Sequence, residues 1–287
     1  RTTNTWPVMP DLRACTAAAA AVACSVAYAL YVWRRDRALH EDDPSDQSGK
    51  GFVAGGHDDS IRFIGDRILK KQQDGGRGER ECAFLLEASM HHFLKEWAPQ
   101  CVGSRNFEGA MWTEMSNTLA GLVSPVVLDL KLGTQTWHPG ASDDKRKQHE
   151  AKAAQSTSGI LGVRVTGGQL RTAFGGALEP IGAKMKREVR TEPELLECLR
   201  RFLVSAPLRL TFLRKMQALE DWFSSQTEFA FFGSSVLLAF DGALESPTEL
   251  RIGLIDFPHV YRLNQIDRSC LTGVATLRRL AQSLVAA

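Results

Sequence analysis

Three observations predict a two-part α+β fold for this 287-residue chain. Short apolar runs broken by Gly and Asp fill residues 52–71, a helical periodicity follows at once, and a longer mixture of strands and helices runs from residue 122 to the end. The reading is a small β-rich lobe with one helix over 51–121 and a larger α+β lobe over 122–287. Apolar content of 44% and charged content of 24% are those of an ordinary globular protein. A net charge of +2 excludes a whole-molecule field for nucleic acid, so any basic site is local.

Residues 14–33, "ACTAAAAAVACSVAYALYVW", precede the predicted lobes and are uncharged over about the 20 residues that span a bilayer, between Arg13 and Arg34-Arg35. They form a candidate membrane tether, although an Ala-rich leader reads from the same residues. The polar stretch 36–50 reads as a linker, which makes 1–50 a segment apart. Cys15, Cys24, Cys82, Cys101, Cys198 and Cys270 show no metal-like spacing. That pattern predicts a reduced protein of the cytoplasm or nucleus, with membrane association through 14–33.

The elements follow in order. "AGGH" and Gly65-Asp66 punctuate a small antiparallel sheet ending in "RILKK", residues 67–71. Apolar Phe84, Leu85, Ala88, Phe93 and Leu94 predict a helix over 79–97, stopped by Pro99. Strands near 110–115 and 125–132 flank the connector "SNTLAGLVS". Residues 141–154 read as a charged helix, 160–166 and 168–174 as strands, and 192–225 as helix split near Pro207. "SSVLLAF" and "RIGLIDF" are the last predicted strands, and 269–285 the closing helix. This is the element order of a two-lobed nucleotide-dependent kinase, but order alone carries little functional weight.

Phosphoryl transfer needs cations on phosphate, a carboxylate for a metal ion and a group that orients the attacking oxygen. Asp129 and Lys131 share one face of the strand 125–132, which places an acid beside a base. Lys70 ends a strand and can be held by Glu81 on the next helix; Asp256 ends another and is the natural metal carboxylate, with the Ser235 hydroxyl as a further ligand. No G-x-G-x-x-G or G-K-[ST] motif is present, against dinucleotide enzymes and P-loop ATPases. On the helix "ASDDKRKQHEAKAAQ", Lys145, Gln148, His149 and Lys152 stand at i, i+3, i+4 and i+7, a polyanion-binding face diluted by Asp143, Asp144 and Glu150.

The pattern P-x-x-x-D-x-K-x-G at Pro125, Asp129, Lys131 and Gly133 resembles the signature of the inositol polyphosphate kinases. "DLKLGTQTWHPGASDDKRKQHEAKAAQSTSGILGVRVTGGQL" is most similar to the inositol hexakisphosphate kinase branch. "RGERE", "SSVLLAFDG", "IDF" and D-x-x-x-L-x-G-x-x-x-L from Asp267 to Leu277 extend the resemblance from Val53 to the C-terminus. It implies a protein-kinase-like fold, ATP and Mg²⁺, and transfer of the γ-phosphate to an inositol phosphate, with hexakisphosphate giving a pyrophosphate. The alternatives are a multikinase acting on ring hydroxyls of lower inositol phosphates and a catalytically weak inositol-phosphate binder. A calmodulin-dependent trisphosphate kinase is disfavoured, because its long helical insertion has no room between Gly133 and Ser156.

The resemblance further implies that Asp129 and Lys131 are catalytic, with Lys131 also on substrate phosphate. Lys70, Glu81, Asn117, Thr118 and Asp256 would serve ATP, Asp256 and Ser235 the metal ion, and Lys145, Gln148, His149 and Lys152, within the segment 139–158, the acceptor. The chain departs from the family at Ser116, where a hinge glutamate is usual, at Ala230, where an arginine is usual, and at Pro258, where an alanine is usual. The stretch after "IDFPHV" is also short.

Overall fold

A computed structural model describes residues 60–171, 176–182 and 188–286. Segments 14–33, 36–50 and 52–59 lie outside the described residues, as does part of the predicted strand 168–174. Among the described residues no helix is long and apolar enough to cross a membrane.

The first sheet holds β1 (Ile61–Ile64), β2 (Arg67–Lys71), β3 (Cys101–Phe107) and β4 (Ala110–Ser116), antiparallel in the order β1-β2-β4-β3. Helix α1 (Arg77–Ala88) packs on β3 and β4 and buries Cys82, Phe84, Leu85 and Ala88. The predicted helix over 79–97 is therefore cut short. Ser89 Oγ donates back to the Leu85 carbonyl, and His91 Nδ1 accepts from the Phe93 and Leu94 amides, which starts a separate 3₁₀ turn, Leu94–Glu96. The apolar periodicity survives the break because Phe93 stacks between Trp97 and Trp222. Strand β3 escaped the sequence reading. It is an edge strand of mixed polarity with a register shift between Cys101 and Gly103.

The second sheet has the order β10-β9-β5-β6-β7. Its strands are β5 (Pro125–Leu132), β6 (Val163–Arg171), β7 (Leu178–Pro180), β9 (Ser235–Asp241) and β10 (Arg251–Ile255). Where two strands were expected over 160–174, a single turn α3 (Ser158–Leu161) ends at Gly162, whose φ of 64° suits glycine, and one strand follows. Strands β8 (Phe229–Phe231) and β11 (Val260–Arg262) pair separately and are too short for a periodic signal.

The remaining helices are α2 (Asp143–Ala154), α4 (Glu192–Phe202), α5 (Ala206–Ser225) and α6 (Arg268–Ala286). Thr191 and Glu194 form a capping box at the start of α4, and Ser205 caps α5, which explains the split near Pro207.

Strand β5 divides its residues between two environments by its period of two. Val126, Leu128, Leu130 and Leu132 enter the main core with Phe212, Met216, Leu277 and Leu280 of α5 and α6. Val127 joins Leu237 and Ala239 on the other face, and Asp129 and Lys131 continue that face toward the first sheet. Deleting a core side chain such as Phe212 would cost about 3–5 kcal/mol.

Candidate active site

Between the two sheets lies a cavity of about 510 Å³. One part of its wall is apolar, with Ile68, Met115, Leu237 and Ile255 beside the connecting residues Ser116, Asn117, Thr118 and Leu119. Another part is polar, with Lys70, Glu81, Asp129, Lys131, Thr166 and Asp256.

Lys70 joins the two sheets. Its ammonium donates to Glu81 Oε1 at 2.8 Å and to Asp256 Oδ1 at 2.7 Å. Burial disfavours its charge, but the Asp256 and Glu81 carboxylates outweigh that and raise its pKa well above the usual lysine range. Glu81 Oε1 also accepts the Phe257 amide at 3.0 Å, so helix α1, strand β2 and the turn after β10 meet on one carboxylate. Phe257 is fully buried and packs on Phe84 at 4.8 Å between ring centroids.

Asp256 adopts φ 65°, a left-handed backbone that costs a non-glycine residue about 1–2 kcal/mol. The Ser234 hydroxyl donates to its carbonyl at 2.6 Å and helps fix the turn. The cleft walls disfavour charge on its carboxyl although 40% of the side chain stays open; Lys70 and Lys131 together prevail and hold its pKa below the usual carboxylate range. Among the described residues no donor is bonded to its Oδ2.

Asp129 is held by an irregularity of the sheet. Opposite it, the register of β6 jumps from Gly167 to Val165, leaving Thr166 as the extra residue of a bulge. Thr166 Oγ1 donates to Asp129 Oδ1 at 2.8 Å. Burial raises the Asp129 pKa and the Asp256 charge adds to the rise, against the opposing pull of Thr166, Ser235 and Lys131. Ser235 Oγ is fully buried and has no hydrogen-bond partner of ordinary geometry among the described residues, yet it is near enough to favour charge on Asp129. Lys131 donates to the Gly233 carbonyl at 2.6 Å. At Gly133, φ is 99° and a Cβ would meet Ser269 Oγ at 2.9 Å, so the turn after Lys131 requires glycine.

The basic helix α2 contributes unequally. His149 lines the cleft and shares a hydrogen bond with Thr136 at 2.8 Å, whereas Lys145, Gln148 and Lys152 are exposed outside the lining. Burial lowers the His149 pKa, and the charges of Lys152, Arg164 and Lys131 lower it further.

Several groups in or beside the cleft went unnoticed in the sequence; Thr166 and His259 line it, and Arg164, Arg80 and His138 stand next to lining residues. Arg164 lies opposite Lys131 in register, and burial lowers its pKa against the pull of Asp129. His259 stacks on His138 at 4.2 Å; burial, then His138, Arg80, Arg77 and Lys145, push its pKa down to about 4. Arg80 Nε donates to the Pro258 carbonyl. The signal for Arg164 and Thr166 was present in "VRVTG", where they alternate with Val163 and Val165 on one strand face. Arg80 and His259 meet through tertiary structure alone. Of the three departures, Ser116 uses its hydroxyl to accept the Gln100 amide at 2.9 Å, and Ala230 is buried in β8.

The chemistry of the residues fits a magnesium ion bound together with a nucleotide. No group of three or more His, Cys, Asp or Glu capable of holding a metal occurs among the described residues. A metal ion held by Asp256, with Asp129 nearby, would have most of its coordination shell left for phosphate and water, as Mg²⁺ prefers.

Comparison with known proteins agrees with this geometry. The chain is 29% identical over 254 residues to an inositol polyphosphate multikinase of Oryza sativa subsp. indica, covering 76% of this chain and 86% of that one. It is 29% identical over 268 residues to the multikinase of Schizosaccharomyces pombe, covering 79% and 93%. Inositol hexakisphosphate kinase 3 of Mus musculus is 31% identical over 168 residues, covering 50% of this chain and 41% of that one. The fold matches the crystal structure of the S. cerevisiae inositol phosphate multikinase in complex with ADP and Mn²⁺, with a TM-score of 0.67 and 21% identity over 77% of this chain and all of that one. The profile described as "Inositol polyphosphate kinase" matches residues 112–282, a span running from β4 through Asp129, Lys131 and Asp256 into α6. By that match, the chain belongs to the inositol polyphosphate kinase family.

Proposed function

We propose that the chain transfers the γ-phosphate of ATP to a highly phosphorylated inositol, with hexakisphosphate as preferred acceptor and a pyrophosphate as product. The observation that carries this reading is the concentration of cations around two imidazoles that line the cleft, His149 and His259. Lys131 on β5, Arg164 on β6 and Lys152 on α2 act electrostatically on His149. Arg80 and Arg77 on α1, with Lys145 on α2, act on His259. Cations from four elements suit an acceptor with many phosphates, because each added phosphate adds charge-assisted contacts.

The roles follow from position. The apolar wall beside Asn117 and Thr118 takes the base, and Lys70, held by Glu81, takes nucleotide phosphate. Asp256, with the Ser235 hydroxyl, would hold Mg²⁺, which when bound neutralises phosphate charge. Asp129 orients the attacking oxygen and accepts its proton where that oxygen carries one. Lys131 stabilises charge on the transferring group. Lys145, Gln148, His149 and Lys152 reach acceptor phosphates, joined by Arg164, Arg80 and His259. A solved relative of the same fold holds ADP and Mn²⁺, which supports a nucleotide and a divalent metal here.

A second reading, a multikinase phosphorylating ring hydroxyls of lower inositol phosphates, is favoured by the multikinase relatives, which match about three quarters of the chain. One product-resolved assay over inositol phosphates bearing three to six phosphates separates the two. Pyrophosphate from hexakisphosphate supports the first, ring-hydroxyl products alone support the second, and no ATP-dependent product from any acceptor would overturn both.

Acceptor binding should take up protons. His138, His149 and His259 all have pKa values lowered by burial and by nearby cations, so they are largely neutral near pH 7 without acceptor. Phosphate beside them favours the charged form and raises those values. Titration calorimetry with hexakisphosphate in buffers of different ionisation enthalpy should therefore report a more positive proton uptake for the parent than for His149→Asn, a difference in which proton release by the ligand's own phosphates cancels. Equal proton uptake in the parent and in His149→Asn would place His149 away from the acceptor.

Thr166→Val should move the pH profile. The Thr166 hydrogen bond favours ionised Asp129, and the isosteric valine removes it. The acid limb of kcat/KM should shift to higher pH, with activity near neutrality down about tenfold. An unchanged limb would show that Asp129 ionisation does not govern the rate.

A further inference from the structure

Arg251 lies outside every role assigned above. It opens β10, five residues before Asp256, on the same strand face as Ile255 of the cleft wall. Its guanidinium Nη1 donates to the Thr118 carbonyl at 2.9 Å and to the Ala120 carbonyl at 2.6 Å, both in the segment that connects the two sheets. The same segment is tied to the second sheet again by Asp241 of β9, whose carboxylate accepts the Val123 and Ser124 amides at 2.9 and 3.0 Å. On the first-sheet side its Asn117 amide donates to the Asp66 carbonyl at 2.8 Å.

We infer that Arg251 is a positioning residue for nucleotide, fixing the backbone of Thr118–Ala120 at the base end of the cleft in register with Asp256 at the phosphate end. The inference rests on the nucleotide reading proposed above and adds to it the device that sets the distance between the two ends. A strand rises about 3.3 Å per residue, so β10 spans roughly 13 Å from Arg251 to Ile255, and Asp256 follows at once in the turn that ends it. The base-end backbone is thereby carried by the strand that also carries the metal carboxylate. A guanidinium suits the task because it is permanently charged and planar, so the two N–H groups of Nη1 point in fixed directions, one for each carbonyl; a lysine ammonium rotates freely and lacks that plane. The three connector residues Asn117, Thr118 and Leu119 all line the cavity, so a shift of their backbone moves the base-contacting surface itself.

The test measures ADP binding by calorimetry, and kcat and KM for ATP, in the full chain and in Arg251→Lys and Arg251→Ala. Folding of each variant is checked by thermal melt. Two charge-assisted bonds are removed in the alanine variant, so the ADP Kd should rise about tenfold, and the lysine variant should fall between it and the parent. KM for ATP should rise in parallel while kcat at saturating ATP stays within about twofold, since Arg251 touches none of the reacting groups. A merely structural arginine would lower the melting temperature and leave Kd of the folded protein unchanged. If Arg251→Ala does not fold, Arg251→Lys decides alone, and an ADP Kd equal to that of the parent overturns the inference. If the parent itself binds no adenine nucleotide, the kinase reading fails first, and the inference with it.

Discussion

Asp129→Asn should lower kcat by about 10²-fold or more while leaving ADP binding unchanged. The substitution is nearly isosteric, and Thr166 Oγ1 can still donate to the amide oxygen, so the bulge of β6 need not rearrange. What disappears is the negative charge that faces Lys131 and, with it, the proposed means of orienting and deprotonating the attacking group. The loss should depend on the acceptor. A ring hydroxyl must give up its proton during attack, whereas a phosphate oxygen near neutral pH is largely ionised, so the asparagine variant should lose more activity with hydroxyl acceptors than with hexakisphosphate. Single-turnover rates with both acceptor classes measure this. Turnover close to that of the parent with either class would remove Asp129 from the mechanism.

The parts of the fold legible in the sequence are those whose burial repeats regularly. Strand β5 was readable because its apolar residues run unbroken into Asp129, and a buried strand with an acid and a base on one face is a chemical anomaly visible without coordinates. The cap residues Thr191 and Ser205 act locally, so the division between α4 and α5 could be placed from Pro207. Helix α1 was overextended because Phe93, Leu94 and Trp97 keep a helical spacing while serving a 3₁₀ turn that packs on Trp222. The strands expected over 160–166 and 168–174 part at Gly167, but Gly167 lies inside β6 next to the bulge that turns Thr166 toward Asp129. The site divides along the same line. Lys70, Glu81 and Asp256 were readable as separate strand-end and helix residues, but that one ammonium bridges both carboxylates is a property of the packed sheets. The stripe of Lys145, Gln148, His149 and Lys152 was legible as a face, yet its periodicity could not reveal that His149 alone among them lines the cleft.

Asp256→Asn is expected to be the other large loss, about 10²-fold in kcat/KM for ATP, partly recovered at raised Mg²⁺. Asparagine is the informative replacement because Asp256 sits at φ 65°, a conformation that asparagine tolerates and alanine does not. The turn that brings Phe257 onto Glu81 should therefore survive, and near-native folding can be confirmed by a thermal melt. Two consequences of the lost charge can be separated. Metal affinity falls because the remaining amide oxygen is a weaker ligand, and this part responds to Mg²⁺ concentration. Lys70 also loses the carboxylate that contributes most to its raised pKa and keeps Glu81 as its one carboxylate partner among the described residues, which frees the ammonium to shift toward Glu81 and away from nucleotide phosphate. That part should not respond to Mg²⁺. A Lys70→Met variant supplies the comparison: it should be insensitive to added Mg²⁺ throughout, and the double variant should fall well short of the summed losses because the two side chains share one contact. Full activity in Asp256→Asn at ordinary Mg²⁺ would exclude Asp256 from metal binding and show that Glu81 alone suffices to hold Lys70.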